Sequence, residues 1–188
     1  MKKSDNRGIS LIELIVGMAI SSIIIAAIIL FMSAGSRGYQ AAQSEISLQT
    51  EAQTVMNQIR ECVLEGNNIS YDSSKSVLTV YHSDGNAATT TDAMEILWFN
   101  SSDHNMYLYR MTAAGKASVL ADIQSGTVTE DNLMGEYVES FEVSGNLIDD
   151  STGAHGTTIT VSLEMKYNGK EYKMAEDMKL RNRIVAIP

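Results

Sequence analysis

The chain has 188 residues, 44% of them hydrophobic and 20% charged, which is enough for one modest domain and a separate apolar segment. A formal net charge of -9 leaves no basic excess with which to neutralise a phosphate backbone, so nucleic acid is not an expected partner. The single cysteine, Cys62, excludes an intrachain disulfide and reads as a small buried residue on a helix.

The first eight residues are chemically distinct: Lys2, Lys3 and Arg7 stand against Asp5 alone, in a chain that is otherwise acidic. From Leu14 to Met32 no residue is charged, and the run LIVGMAISSIIIAAIILFM has the length that a bilayer crossing needs. Basic residues precede this run and few follow it closely, which predicts a cytoplasmic N-terminus and an extracytoplasmic C-terminal head. A secretory signal would have a shorter apolar core ending at a small-residue cleavage site, whereas this one continues into a polar helical pattern. Glu13 is the anomaly. A carboxylate at the centre of a spanning helix costs about 2.5–3.5 kcal/mol, less near its end, and no Lys or Arg follows Glu13 within a helical turn.

The residues RGISLIEL, 7–14, resemble the prepilin cleavage motif of type IV pilins and type II secretion pseudopilins: a short basic leader ending in Gly, an apolar residue, and Glu five positions in. The resemblance implies a prepilin peptidase that cuts between Gly8 and Ile9 and methylates the new N-terminus at Ile9. It also implies that Glu13 attracts the N-terminal amine of a neighbouring subunit during assembly, which would make its partner intermolecular. Ile9 stands where the family more often has Phe or Met. Leu30 stands where major pilins commonly carry a helix-melting Pro, which favours a minor pilin or pseudopilin.

Beyond Met32 the sequence stays helix-compatible to Glu65, with no Pro. Leu48, Ala52, Val55, Ile59, Cys62 and Val63 recur at the spacing of one apolar stripe, so one face packs on something. The small residues SAGSRG, 33–38, predict a bend or local melting, and Gly66 with Asn67 and Asn68 predicts the stop. At 1.5 Å per residue a helix over 9–65 is roughly 85 Å long, far beyond a domain diameter, so its first half belongs in a membrane or among other helices.

Past Gly66 short runs rich in Tyr, Val, Ile and Thr alternate with turn residues. Strands are predicted near residues 77–82, 95–100, 106–111, 118–123, 137–143, 158–167 and 172–180. In the sixth of these, Ile159, Val161, Leu163 and Met165 share one face and Thr158, Thr160, Ser162 and Glu164 the other, so the sheet should have a dry and a wet side. Asn168-Gly169 predicts a two-residue type I′ hairpin joining the last two strands. The segments LMGEYVESFEV (133–143) and MKLRNR (178–183) resemble head segments of the minor pilin and pseudopilin group labelled W-like or J-like.

No P-loop, GxSxG or HExxH occurs, so no enzyme activity is expected. His82, His104 and His155 show no ligand spacing and read as surface residues. Ser83-Asp84-Gly85-Asn86 and Asp149-Asp150 could offer oxygens to calcium, as some pseudopilin heads do, but their ligand density is that of ordinary turns and no cofactor is expected. Trp98, Phe99, Tyr107 and Tyr109 read as cross-strand core pairs, with an adhesive patch as the alternative.

The expected class is therefore α+β: a leader at 1–8, a transmembrane or filament-core helix at 9–32, its amphipathic continuation at 33–66 and a β-rich head at 67–188. The expected role is a minor pilin or pseudopilin, first in the cytoplasmic membrane and then in a cell-surface or periplasmic filament. Its partners would be prepilin peptidase, other pilin subunits and an assembly platform protein. The competing class is a membrane-anchored binding module or adhesin.

Overall fold

The computed structural model describes residues 10–83, 89, 91–127, 130–145 and 158–182. Helix α1, Leu11–Glu65, leads into strands β1 (Asn68–Asp72), β2 (Val77–His82), β3 (Ala93–Asn100) and β4 (Asn105–Thr112). Helix α2 (Lys116–Ser125) follows, then β5 (Leu133–Gly135), β6 (Val138–Gly145), β7 (Thr158–Tyr167) and β8 (Lys170–Lys179). The class is α+β, with antiparallel sheets following a long N-terminal helix.

The chain divides into two compact units, residues 1–43 and 44–188. In the first, α1 leaves its apolar side chains in the open: Ile23, Leu30 and Phe31 are 71%, 71% and 81% exposed. The helix runs through 33–38 without interruption, so the local melting predicted there does not occur. Two Ser and two Gly in six residues lower helix propensity by only about 1 kcal/mol per Gly and less per Ser, and the flanking helix formers on both sides outweigh that.

In the second unit the end of α1 packs on two sheets. One has the order β1-β2-β3-β4-β5, the other β6-β7-β8, and every pairing is antiparallel. The stripe Leu48, Ala52, Val55, Ile59, Cys62 and Val63 is buried, with Met56 beside it, against Leu78, Leu97 and Met106 of the larger sheet and Phe141, Val161 and Met165 of the smaller. Arg60 ties the helix to β8 through a bidentate pair with Glu176, its Nε donating to Oε1 at 2.6 Å.

Residues 118–123, predicted as a strand, belong to α2 instead. Val119, Leu120 and Ile123 form a helical stripe, and the left-handed Gly126 (φ 70°) caps the end by donating to the Asp122 and Ile123 carbonyls. This helix covers the second face of the five-stranded sheet, where Val77, Tyr81, Met94, Ile96, Trp98, Tyr107 and Tyr109 are buried. The expectation of one dry and one wet face therefore holds for β7, whose even-numbered residues are more exposed, and fails for β2 and β3, which are buried on both sides. Trp98 and Tyr107 face each other across β3 and β4 with their rings stacked, centroids 5.5 Å apart, which makes the aromatic group core rather than an exposed patch.

The last hairpin forms as predicted: Tyr167 pairs Lys170, and Asn168 and Gly169 take φ of 49° and 74°. Strands β1 and β5 were not predicted. Both are short and lack a run of β-branched residues, so pairing to β2 and β4 decides them.

Candidate functional site

The residues singled out at the N-terminus are Gly8, Ile9 and Glu13. Gly8 and Ile9 lie outside the described residues. Glu13 stands in the first turn of α1, exposed, and its Oε2 accepts the backbone N–H of Ser10 at 2.9 Å. Ser10 in turn offers its carbonyl to the Leu14 N–H at 3.1 Å, so Ser10 is the residue at which the helix starts. Ser10-Leu11-Ile12-Glu13 has the S-x-x-E spacing of a capping box, in which the acid three residues in reaches back to the N-cap amide. That spacing was readable in the sequence and gives Glu13 a local task at the helix start. Its carboxylate also meets the partial positive charge at the helix start. The hydrogen bond uses Oε2, and a carboxylate can accept at both oxygens, so a further donor can be taken at Oε1.

Following this turn, the 55-residue helix is the one element among the described residues that is long and apolar enough to cross a membrane. Exposed apolar surface on this scale is not sustained by a monomer in water, and it marks a membrane or partner surface.

The second constellation lies in the head, where Cys62 of α1, His82 of β2, Glu95 of β3 and Arg110 of β4 converge. Glu95 Oε2 lies 3.2 Å from His82 Nε2, and its Oε1 accepts from Arg110 Nε at 2.9 Å. These hydrogen bonds, that from His82 foremost, hold the Glu95 carboxyl down at about 2 despite its burial. The other nitrogen of His82, Nδ1, lies 3.3 Å from the Glu65 carbonyl near the end of α1. With acceptors at both ring nitrogens the imidazolium is favoured, and the pKa of His82 is raised, the hydrogen bond to Glu95 being the main cause. Burial first, and then the hydrogen bond to Glu95, push the Cys62 thiol up to about 12, so it is held as the unreactive thiol.

His82 is therefore not the surface residue that was expected: it is half-buried and ion-paired. The sequence carried no signal for this, because its partners come from two other elements, Glu95 from β3 and the Glu65 carbonyl from α1. His104 is more exposed and lies 3.7 Å from Glu139, and His155 is outside the described residues. Among the described residues no three His, Cys, Asp or Glu side chains are grouped to hold a metal ion. Asp84, Gly85, Asn86, Asp149 and Asp150, considered for calcium, lie outside them.

Residues 3–29 match the model of the prokaryotic N-terminal methylation motif. That span contains the basic leader, Gly8, Ile9, Glu13 and most of the uncharged run. No curated protein and no solved structure matches the chain.

Proposed function

We propose that this chain, which carries a prepilin-type N-terminal methylation motif, is a structural subunit of a type IV pilus or a related secretion or competence filament. The observation that carries the reading is a register: a basic leader ending at Gly8, Ile9, and Glu13 in the first turn of an apolar, exposed helix. In this reading a prepilin peptidase cuts after Gly8 and methylates Ile9. The cut frees a cationic amine four residues before Glu13, at the end of a segment that the membrane holds. Glu13 then pairs with the amine of a neighbouring subunit, and the apolar helices pack together as they leave the lipid. Subunits and an assembly platform protein are the partners, and the head is displayed outside the membrane.

Two features favour a minor pilin or pseudopilin: Leu30 in place of the helix-melting Pro, and the W-like or J-like segments at 133–143 and 178–183. No enzyme activity and no cofactor enter this reading.

The test is Glu13→Ala in cells that assemble the filament. The subunit should remain in the membrane and be missing from the filament fraction sheared from the cell surface. Normal incorporation of the variant would reduce the helix to an anchor and favour a tethered binding module or adhesin.

A further inference from the structure

Between Ile9 and Gln58 the chain carries four charged residues: Glu13, Arg37, Glu45 and Glu51. Arg37 is the one cation of this stretch. It is exposed, and among the described residues its side chain makes no hydrogen bond or ion pair. The other basic residue of α1, Arg60, is already engaged with Glu176. Glu51 accepts the Glu136 N–H at 3.3 Å, whereas among the described residues Glu45 meets only Lys170, at 3.9 Å and with both side chains about half exposed, a contact of little energetic weight.

Building on the subunit reading above, we infer that Arg37 pairs with Glu45 of a second copy of this chain, and that this contact and the amine–Glu13 contact are set by one axial stagger. Copies anchored in one membrane run parallel. A neighbour displaced by four residues brings its Ile9 amine level with Glu13, an offset of about 6 Å at the rise of an α-helix. A displacement of eight residues brings its Arg37 level with Glu45, an offset of about 12 Å. In both pairs the anion lies C-terminal to the cation, so the two displacements have the same direction. One offset of about 9 Å lies within about 3 Å of each, inside the reach of extended Arg and Glu side chains. As partners of Arg37, the other two carboxylates of this stretch do not share this property. Glu13 lies on its N-terminal side and needs the opposite displacement, and Glu51 needs about 21 Å. Both members of both pairs are present on this chain, so the helix is complementary to itself.

The test uses the full chain, expressed with prepilin peptidase and the assembly machinery, and compares the sheared filament fraction with processed subunit left in the membrane. Arg37→Glu and Glu45→Lys should each lower the filament fraction by about tenfold, the range expected when a close charge pair is reversed, and the combined charge swap should restore most of it. The pair Arg37→Cys with Glu45→Cys should give disulfide-linked dimers under mild oxidation, absent from either single variant, with the buried Cys62 thiol contributing none. A double swap no better than the worse single variant overturns the inference. So does a Lys170→Ala variant that reproduces the Glu45→Lys loss, which would assign Glu45 to its own head. Loss of membrane insertion in Arg37→Glu also overturns it, since Arg37 would then serve lipid headgroups. Glu13→Ala, run alongside, separates the two claims. If it assembles normally, the subunit reading falls and this inference with it. If it is lost while the Arg37 and Glu45 variants assemble normally, only this inference falls.

Discussion

Glu95 holds three groups from three elements, and its protonation state sets how the end of α1 is fastened to the sheet. Its carboxyl is depressed to about 2, so its stabilising contribution is complete above the ordinary value of 4.5 and is lost as pH falls towards 2. His82 is shifted upward, so its contribution is complete below 6.5 and is lost as pH rises through its folded value. Thermal unfolding of the detergent-solubilised chain should therefore show greatest stability between pH 4.5 and 6.5, falling on both sides. Glu95→Gln should cost about 1–3 kcal/mol at pH 5.5 and flatten both limbs, since it removes the carboxylate that both shifts depend on. Full retention of both limbs in that variant would show that other groups control the pH response. The tie was not legible in the sequence, because His82, Glu95 and Arg110 are brought to Cys62 by strand register and not by spacing.

At the scale of elements, the apolar stripe of α1 supplies the centre of the head, and its closest approach is made at glycines. A Cβ on Gly135 would stand 2.2 Å from Val55 Cγ2, so β5 can cross the helix only with hydrogen at that position. Gly135→Ala should destabilise the head by about 1–3 kcal/mol through overpacking, measured as a lowered denaturant midpoint with unchanged slope. Ile59→Ala, at a fully buried stripe position, should cost about 2–5 kcal/mol by leaving a cavity where helix and sheets meet. A loss under 1 kcal/mol in either variant would contradict the packing described. Gly66 follows the same logic: its Cβ would meet Val80 Cγ1 at 2.5 Å, so this glycine permits close approach as well as ending the helix.

Strongly periodic elements were readable from residues alone. The α1 stripe, the alternation of β7 and the Asn168-Gly169 turn each follow from a local rule, and the structure places them as that rule requires. Failure came where local rules are ambiguous. SVLADI, 118–123, is short and apolar enough to suit a strand, and only the left-handed cap at Gly126 and the apolar face it covers decide for a helix. The two-sided burial of β2 and β3 has the same origin, since the helix at 116–125 is what covers the second face of their sheet.

At the scale of the whole molecule, an acidic chain presents an apolar helix whose N-terminal turn holds one carboxylate, and a head whose own core is complete on both faces of its larger sheet. The exposed apolar surface is therefore confined largely to the helix, which in the proposed subunit reading a membrane covers first and sister helices later. The N-terminal motif was legible in the sequence because it is linear: in the proposed reading leader, Gly8, Ile9 and Glu13 act through their order along the chain, and the methylation-motif match spans the same residues. The S-x-x-E spacing also carried the hydrogen bond that Glu13 accepts from Ser10, so in the proposed subunit reading assembly draws on a carboxylate oriented by its own helix start. Glu13→Gln should keep much of that cap while losing the charge, and so should retain helicity by circular dichroism while losing incorporation into filaments. Equal incorporation of Glu13→Gln and the unaltered chain would mean that the cap, and not the charge, is what assembly needs.

The most direct measurement is N-terminal sequencing and intact mass of the chain after coexpression with a prepilin peptidase. The account predicts a mature protein that begins at N-methylated Ile9. An intact Met1, or a new N-terminus beyond residue 32, would contradict it.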